Sequence, residues 1–246
     1  PQINFLSKLK ISLFIPCYVD QLSPHVGIAM VNVLERLGHE VNYPEEQTCC
    51  GQPAFNSGYF PEAKQVADHF LNTFADADLI AVPSGSCTAM IRKFYPDLYQ
   101  DSPQSQVVSE LSSRVFEFTE LLVNKLGVTD VGAKLDGTAT YHDGCHGLRE
   151  LGIKDAPRKL LENVEGLSLV EMDEAQSCCG FGGTFAIKFP QISTAMTQVK
   201  LGSASQTEAD YLISGDPSCL MQIGGYFSRQ KSPIQCLHIA EVVDQQ

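Results

Sequence analysis

Positive charge is scarce in this chain of 246 residues. Lysine and arginine number 17 against 29 aspartates and glutamates, a formal net charge of −12. Phosphate backbones would be repelled, so nucleic acid is excluded as a partner. An anionic membrane surface is disfavoured for the same reason. Long hydrophobic runs are also missing. None approaches the ~18–20 apolar residues of a transmembrane segment, and no charged-then-apolar start resembles a secretion signal. No segment is of low complexity. Gly180-Phe181-Gly182-Gly183 is glycine-rich, but it has neither GxGxxG spacing nor a following Lys-Ser/Thr, which argues against nucleotide binding. These absences point to a cytoplasmic globular protein. Hydrophobic residues make up 43% of it, enough for a real core. Only the first ten residues and Asp244-Gln245-Gln246 read as candidates for disorder.

What the chain does have is cysteine in a repeated pattern. Cys17, Cys49-Cys50-Gly51 and Cys87 form one copy; Cys145, Cys178-Cys179-Gly180 and Cys219 form the other. The gap from the lone cysteine to the pair is 32 positions in one copy and 33 in the other, and the gap from the pair to the last cysteine is 37 and 40. Pro83-Ser84-Gly85-Ser86-Cys87 is echoed by Asp216-Pro217-Ser218-Cys219, and Phe118-Thr119-Glu120-Leu121-Leu122 by Ile239-Ala240-Glu241-Val242-Val243. The chain is therefore read as an internal duplication, divided into residues 1–130 and 131–246, with the junction near Gly127 to Gly137.

Each lone cysteine follows a strand-like run. Ile11–Pro16 leads to Cys17, Asp78–Pro83 to Cys87, Thr138–His142 to Cys145 and Tyr211–Ser214 to Cys219. Helical patterns lie between them. Ser23-Pro24 reads as cap and first turn, Val26, Met30, Val33 and Leu37 as an apolar stripe, and Gly38 as the stop. Pro61 opens a helix with Val66, Phe70 and Phe74 inward; Pro190 opens another with Ile192, Ala195, Met196 and Val199 inward. The alternation predicts an α/β fold of two pseudo-twofold-related halves, each a mainly parallel sheet flanked by helices. In such sheets ligands gather beyond the carboxyl ends of the strands, which is where the cysteines fall.

In a reducing cytoplasm, clustered thiols more often bind metal or do redox chemistry than form disulfides. Four cysteines per half suit an iron–sulfur cluster or zinc. The glycine after each vicinal pair permits the sharp turn that brings two adjacent sulfurs to one place. The N–H groups of a helix starting near Gly183 are expected to aim at a thiolate site. Two other classes compete with this reading. A thiol–disulfide enzyme would cycle the vicinal pairs as dithiols, and a zinc-stabilised assembly module would have no redox role.

The stretches Cys49-Cys50-Gly51-Gln52-Pro53-Ala54-Phe55-Asn56-Ser57-Gly58, Pro83–Cys87 and Cys178-Cys179-Gly180-Phe181-Gly182-Gly183-Thr184-Phe185 resemble the CCG-domain, or cysteine-rich domain, family. That family includes a component of heterodisulfide reductase and the iron–sulfur subunit of glycolate oxidase. The resemblance, strongest to the branch serving lactate utilization, runs from about Lys10 to the end. It implies an iron–sulfur electron-transfer subunit of a cytoplasmic complex that oxidises L-lactate to pyruvate. The partners would be two other subunits, one a ferredoxin-like iron–sulfur protein. The implied ligands are Cys17, Cys49, Cys50 and Cys87 for one centre, and Cys145, Cys178, Cys179 and Cys219 for the other. In one respect the chain departs from the family. The fuller pattern closes each repeat with CxxC, whereas Met90 and Gln222 stand at the last position here. A conventional [4Fe–4S] cluster, zinc in one half, or one degenerate half all stay open.

The remaining conspicuous residues read mostly as structural. Cys236, the ninth cysteine, and His238 are expected in the core; His25 and His39, at helix ends, are expected to face solvent. His142 and His146, flanking Cys145, read as hydrogen-bonded structural histidines near a strand end, with a ligand or a proton relay as the sharper alternative. Arg149 reads as a surface ion pair, with carboxylate binding as the sharper alternative. Asp143, Asp216 and Glu120 are candidates for orienting thiolates or histidines.

Overall fold

The computed structural model describes residues 8–246, and within them the same α/β unit occurs twice. In the first half, β1 (Lys10–Leu13) is followed by α1 (Cys17–Leu22), α2 (Pro24–Arg36), β2 (Glu40–Asn42), α3 (Gln52–Asn56), α4 (Phe60–Thr73), β3 (Leu79–Val82) and α5 (Gly85–Ala89). A π-helical stretch at Met90–Phe94 continues into α6 (Tyr95–Leu98), and α7 (Ser105–Ser112), β4 (Val115–Glu117) and α8 (Phe118–Glu120) follow. The second half comprises β5 (Lys134–Tyr141), α9 (Cys145–Arg149), α10 (Asp155–Leu161), β6 (Glu165–Leu169), α11 (Thr184–Lys188), α12 (Pro190–Gln206), β7 (Tyr211–Ser214), α13 (Pro217–Arg229), β8 (Gln235–His238) and α14 (Ile239–Asp244).

Both sheets are parallel, in the orders β2-β1-β3-β4 and β6-β5-β7-β8. Parallel neighbours need helical crossovers that cover the faces, which is why β3 is buried at every position. The strand order reverses between β1 and β3, and between β5 and β7. A crevice opens at such a switch point beyond the carboxyl ends. The α/β class and the pseudo-twofold repeat expected from the sequence are both present.

The helices form for the reasons the sequence suggests, with two differences. In α2, Pro24 occupies the first turn, Val26, Met30 and Val33 are buried, and Gly38 stops the helix at φ 87°. Ser23 precedes it, but its side chain makes no capping hydrogen bond. The larger difference is α12. Ile192 and Val199 are each 55% exposed, and the inward face is Ser193, Thr197, Lys200, Ser203 and Ala204. The apolar stripe expected to be core thus points outward. In α4 the inward face is Ala63, Ala67, Phe70 and Leu71, one position round from the Val66 expectation.

The halves share one core. Leu13, Met30 and Phe118 of the first belong to the same buried cluster as Ala139, Tyr141 and Val242 of the second. Helix α2 packs on α14, where the Arg36 guanidinium donates to the Val243 carbonyl at 2.8 Å and the Asn32 amide donates to Asp244 at 2.8 Å. The expectation of disorder therefore fails at Asp244, and also at Lys10, which lies in β1. For residues 1–7 it lies outside the described residues. Among the described residues, no helix is long and apolar enough to cross a membrane.

Candidate metal centre

Each half delivers its four thiols by the same route. Cys17 starts α1 just beyond β1, and Cys87 lies in the first turn of α5 just beyond β3. Cys145 starts α9 beyond β5, and Cys219 lies in the first turn of α13 beyond β7. The vicinal pairs come from the loops after β2 and β6. Gly51 and Gly180 turn the chain there at φ 83° and 89°. A Cβ on Gly180 would meet the Ser193 carbonyl oxygen at 2.5 Å, so no other residue fits. In the first half Cys17 Sγ lies 3.8 Å from Cys49 Sγ, and Cys50 Sγ 3.4 Å from Cys87 Sγ. In the second, Cys179 Sγ and Cys219 Sγ are 3.0 Å apart. All nine cysteines are free.

The two quartets also face each other. One cavity of about 440 Å³ between the halves is lined by all eight cysteines. The rings of Tyr18 and Phe181, one from each half, meet edge-on at 5.5 Å in its wall.

Charge is distributed alike in both quartets. Cys49 is held far below the usual thiol range by hydrogen bonds from Cys17 and Cys50, and the Gly51 N–H donates to its Sγ at 3.3 Å. Cys178 is lowered in the same way by Cys145 and Cys179, with the Gly180 N–H at 3.4 Å. Their donors, Cys17 and Cys50 in one half and Cys145 and Cys179 in the other, are pushed up. The first cysteine of each pair thus receives the hydrogen bonds that favour negative charge on sulfur. Soft donors, four to a half, with backbone N–H groups directed at sulfur, fit an iron–sulfur cluster or zinc.

Beneath the sulfurs the halves differ. The first quartet rests on aromatic packing: Phe14 meets Phe70 at 5.0 Å and Phe74 at 5.8 Å, and the Tyr95 hydroxyl donates to the Cys50 carbonyl at 2.9 Å. The second rests on polar groups. Thr197 donates to the Cys179 carbonyl at 2.8 Å, and Gln222 donates to Ser193 at 3.0 Å and Thr197 at 3.1 Å. Lys200 is fully buried and donates from Nζ to the carbonyls of Glu174, Ala175 and Ser177, holding the loop that leads to Cys178. Burial pulls its ammonium down to about 8. Sequence reasoning missed Lys200, Thr197 and Gln222 as parts of this floor. For Thr197 and Lys200 the signal was present as polar residues repeating at helical spacing in α12, whereas Gln222 comes from α13.

The halves, related by a pseudo-twofold axis, meet beside the site. Gly85 approaches Gly147 so closely that a Cβ on Gly85 would lie 3.0 Å from the Gly147 Cα. Asp216 caps α13 and accepts the Ser86 N–H across the axis at 2.9 Å. His238 Nε2 donates to the Pro83 carbonyl at 3.1 Å, while its Nδ1 accepts the Ala240 N–H at 3.1 Å. Burial lowers His238 to about 4 and raises Glu117, which caps α8, to about 7.

The other candidates fall as follows. His142 is completely buried with Nδ1 3.2 Å from the Ala175 carbonyl, and burial lowers it to about 3. Its ring lies with Cys179 and Cys219 in one group of ligand atoms within 4.8 Å of one another. His146 Nδ1 lies 3.7 Å from Cys145 Sγ. Asp143 orients neither thiolate nor histidine; it takes a two-pronged salt bridge from Arg158 at 2.9 Å. Glu120 pairs with Arg92 at 2.6 Å. Arg149 is exposed and donates to the Gln176 carbonyl at 3.4 Å, not to an acid. His39, expected to face solvent, is 4% exposed because it closes back under α2 through its N–H to the Leu34 carbonyl. His25 is exposed and lies 3.3 Å from Glu241. Cys236 is half-buried, its thiol raised to about 12 by burial. Helix α11 is only five residues long, too short to supply the expected N-terminal field.

Two sets of four soft donors lining one cavity at the carboxyl ends of duplicated parallel sheets define a cysteine-rich protein with a donor set suited to metal. The family model described as the cysteine-rich domain, CCG, matches residues 11–92 and 139–224, and the chain belongs to that family. Its relatives include Lactate utilization protein A of Geobacillus kaustophilus, 49% identical over 96% of this chain and 99% of that protein. Lactate utilization protein A of an Exiguobacterium species is 50% identical over 96% of this chain and 97% of that protein. Lactate utilization protein A 1 of Bacillus cereus is 47% identical over 96% of this chain and 99% of that protein.

Proposed function

We propose that this chain serves lactate utilization as the iron–sulfur, electron-transferring subunit of a cytoplasmic complex that oxidises L-lactate to pyruvate. Its partners in this reading are two other subunits, one of them a ferredoxin-like iron–sulfur protein. The name shared by relatives at 47–50% identity over nearly the whole chain supports the metabolic role. The observation that carries the redox role is the single cavity lined by eight cysteines.

Cys17, Cys49, Cys50 and Cys87 would hold one centre, and Cys145, Cys178, Cys179 and Cys219 the other. An iron–sulfur cluster, [4Fe–4S] in this reading, supplies one-electron chemistry when bound. The protein's own work is positioning and electrostatics. Gly51 and Gly180 hold the paired sulfurs in a tight turn, and their N–H groups stabilise the Cys49 and Cys178 thiolates. Tyr18 and Phe181 narrow the cavity against water. Because both quartets open on the same cavity, centres held by them would face each other across it rather than across the core.

A second reading, thiol–disulfide exchange, is favoured by the 3.0 Å between Cys179 and Cys219. Anaerobic purification with iron, sulfide and zinc quantification separates the two. The iron–sulfur reading expects iron and sulfide in the chain, loss of the second-half share in Cys179→Ser, and retention of the first. Metal content and lactate-dependent turnover of the reconstituted complex both unchanged in Cys179→Ser would overturn it. Activity in metal-free protein would establish the thiol reading instead.

A further inference from the structure

We propose that the imidazole of His142 is a metal ligand, so that the second half holds a mixed sulfur–nitrogen centre while the first half is all-sulfur. This rests on the metal reading of the quartets and deepens it.

Two observations converge on Nε2 of His142. It is buried and has no hydrogen-bond partner, an arrangement that costs free energy unless something accepts or supplies a bond there. The other ring nitrogen faces a carbonyl, Ala175 O at 3.2 Å. A carbonyl only accepts, so the proton sits on Nδ1 and Nε2 presents a lone pair. A ligating histidine is held in the same way, its second nitrogen donating to a backbone carbonyl that fixes tautomer and ring orientation. Finally, the ligand atoms of His142, Cys179 and Cys219 all lie within 4.8 Å of one another. A transition cation that accepts thiolate and imidazole together, such as zinc or iron, suits that donor set.

The duplication supplies an internal control. Three residues before Cys17 stands Phe14; three residues before Cys145 stands His142. Their backbones are equivalent, Phe14 N–H donating to the Ala81 carbonyl of β3 and His142 N–H to the Ile213 carbonyl of β7. Lys200 of α12 likewise corresponds to Phe70 of α4, because Gly180 abuts Ser193 and Met196 as Gly51 abuts Ala63 and Val66, and the inward faces run Ser193, Thr197, Lys200 against Ala63, Ala67, Phe70. The same backbone thus carries an apolar floor under one quartet and a nitrogen donor with a buried cation under the other. A phenyl ring satisfies the packing in the first half, so packing alone does not call for imidazole in the second.

The test uses the full chain, loaded anaerobically with Co²⁺ alone in one arm, as a probe for a zinc-type site, and with ferrous iron and sulfide followed by dithionite reduction to the paramagnetic state in the other. Pulsed electron paramagnetic resonance is recorded on protein grown with natural and with ¹⁵N-labelled histidine. The expected result is a nitrogen coupling in at least one arm that changes with the isotope, persists in Cys49→Ser and is lost in His142→Phe. His146→Phe should leave it intact. Full metal uptake by the wild-type chain without any histidine coupling would overturn the proposal and leave the metal reading standing. So would a coupling that survives His142→Phe or disappears in His146→Phe. No metal uptake in either arm would overturn both. The isotope comparison on the wild-type chain decides the matter even where a variant fails to fold.

Discussion

Replacing Gly85 by alanine tests whether the two quartets are held face to face by the backbone contact between α5 and α9. The new Cβ would lie 3.0 Å from Gly147 Cα and 3.1 Å from Gly147 N, where ordinary contact begins at 3.4 Å. Both neighbours are backbone atoms and cannot rotate away, so α5 and α9 must separate by several tenths of an ångström. Overpacking of this kind costs about 1–3 kcal/mol. The reciprocal change is different. A Cβ on Gly147 has only Gly85 Cα near it, at 3.8 Å, and alanine in a helix is favoured over glycine by about 0.5–1 kcal/mol. Urea denaturation of the reduced, metal-free chain should therefore give a lowered midpoint for Gly85→Ala and an unchanged or raised one for Gly147→Ala. The contact sits two residues from Cys87 and two from Cys145, so Gly85→Ala should also weaken communication between the halves while each still binds its own metal. Equal effects from the two substitutions, or a neutral Gly85→Ala, would refute the close contact between α5 and α9.

Lys200→Met should destabilise the chain by about 1–3 kcal/mol, because the loop carbonyls of Glu174, Ala175 and Ser177 lose their donor. It should also lower the potential of the second-half centre relative to the first, read by potentiometric titration; a more stable variant would show that burying the charge outweighs those bonds. His238, lowered to about 4, is neutral in the fold, whereas the unfolded chain takes up a proton below about 6.5. Its stabilising share, about 3 kcal/mol, is complete above about pH 6.5 and lost as pH falls toward 4, so the acid-side slope of stability should shrink in His238→Gln. Glu117, raised to about 7, works the opposite way, its share being lost as pH rises from about 4.5 through 7. Glu117→Gln should therefore be more stable than wild type at pH 8 and nearly equal at pH 5, and equal stability at both would show that the carboxyl is not desolvated.

The fold class was legible in the sequence because its signals are local. Short β-branched runs ending at Pro, Gly and Ser gave the strands that precede each lone cysteine, and the matched cysteine spacing gave the duplication. The helix α12 was misread because hydrophobic periodicity assumes an apolar floor. Its actual floor is the segment at 174–179, whose carbonyls need donors: Lys200 serves Glu174, Ala175 and Ser177 and Thr197 serves Cys179, so both turn inward and Ile192 and Val199 turn out. His39 was misread in the same way, since its burial depends on how the chain folds back after Gly38.

By itself the sequence determined which atoms are available: eight thiols in two sets of four, each set carried to the ends of parallel strands. Only the tertiary structure decided that both sets open on one cavity, and that an imidazole lies under one set and a phenyl ring under the other. The reason is separation along the chain. Gly85 meets Gly147, Ser86 meets Asp216 and Pro83 meets His238 through contacts between residues far apart in sequence. No local pattern encodes these contacts; they follow from packing two copies of one sheet about a shared axis.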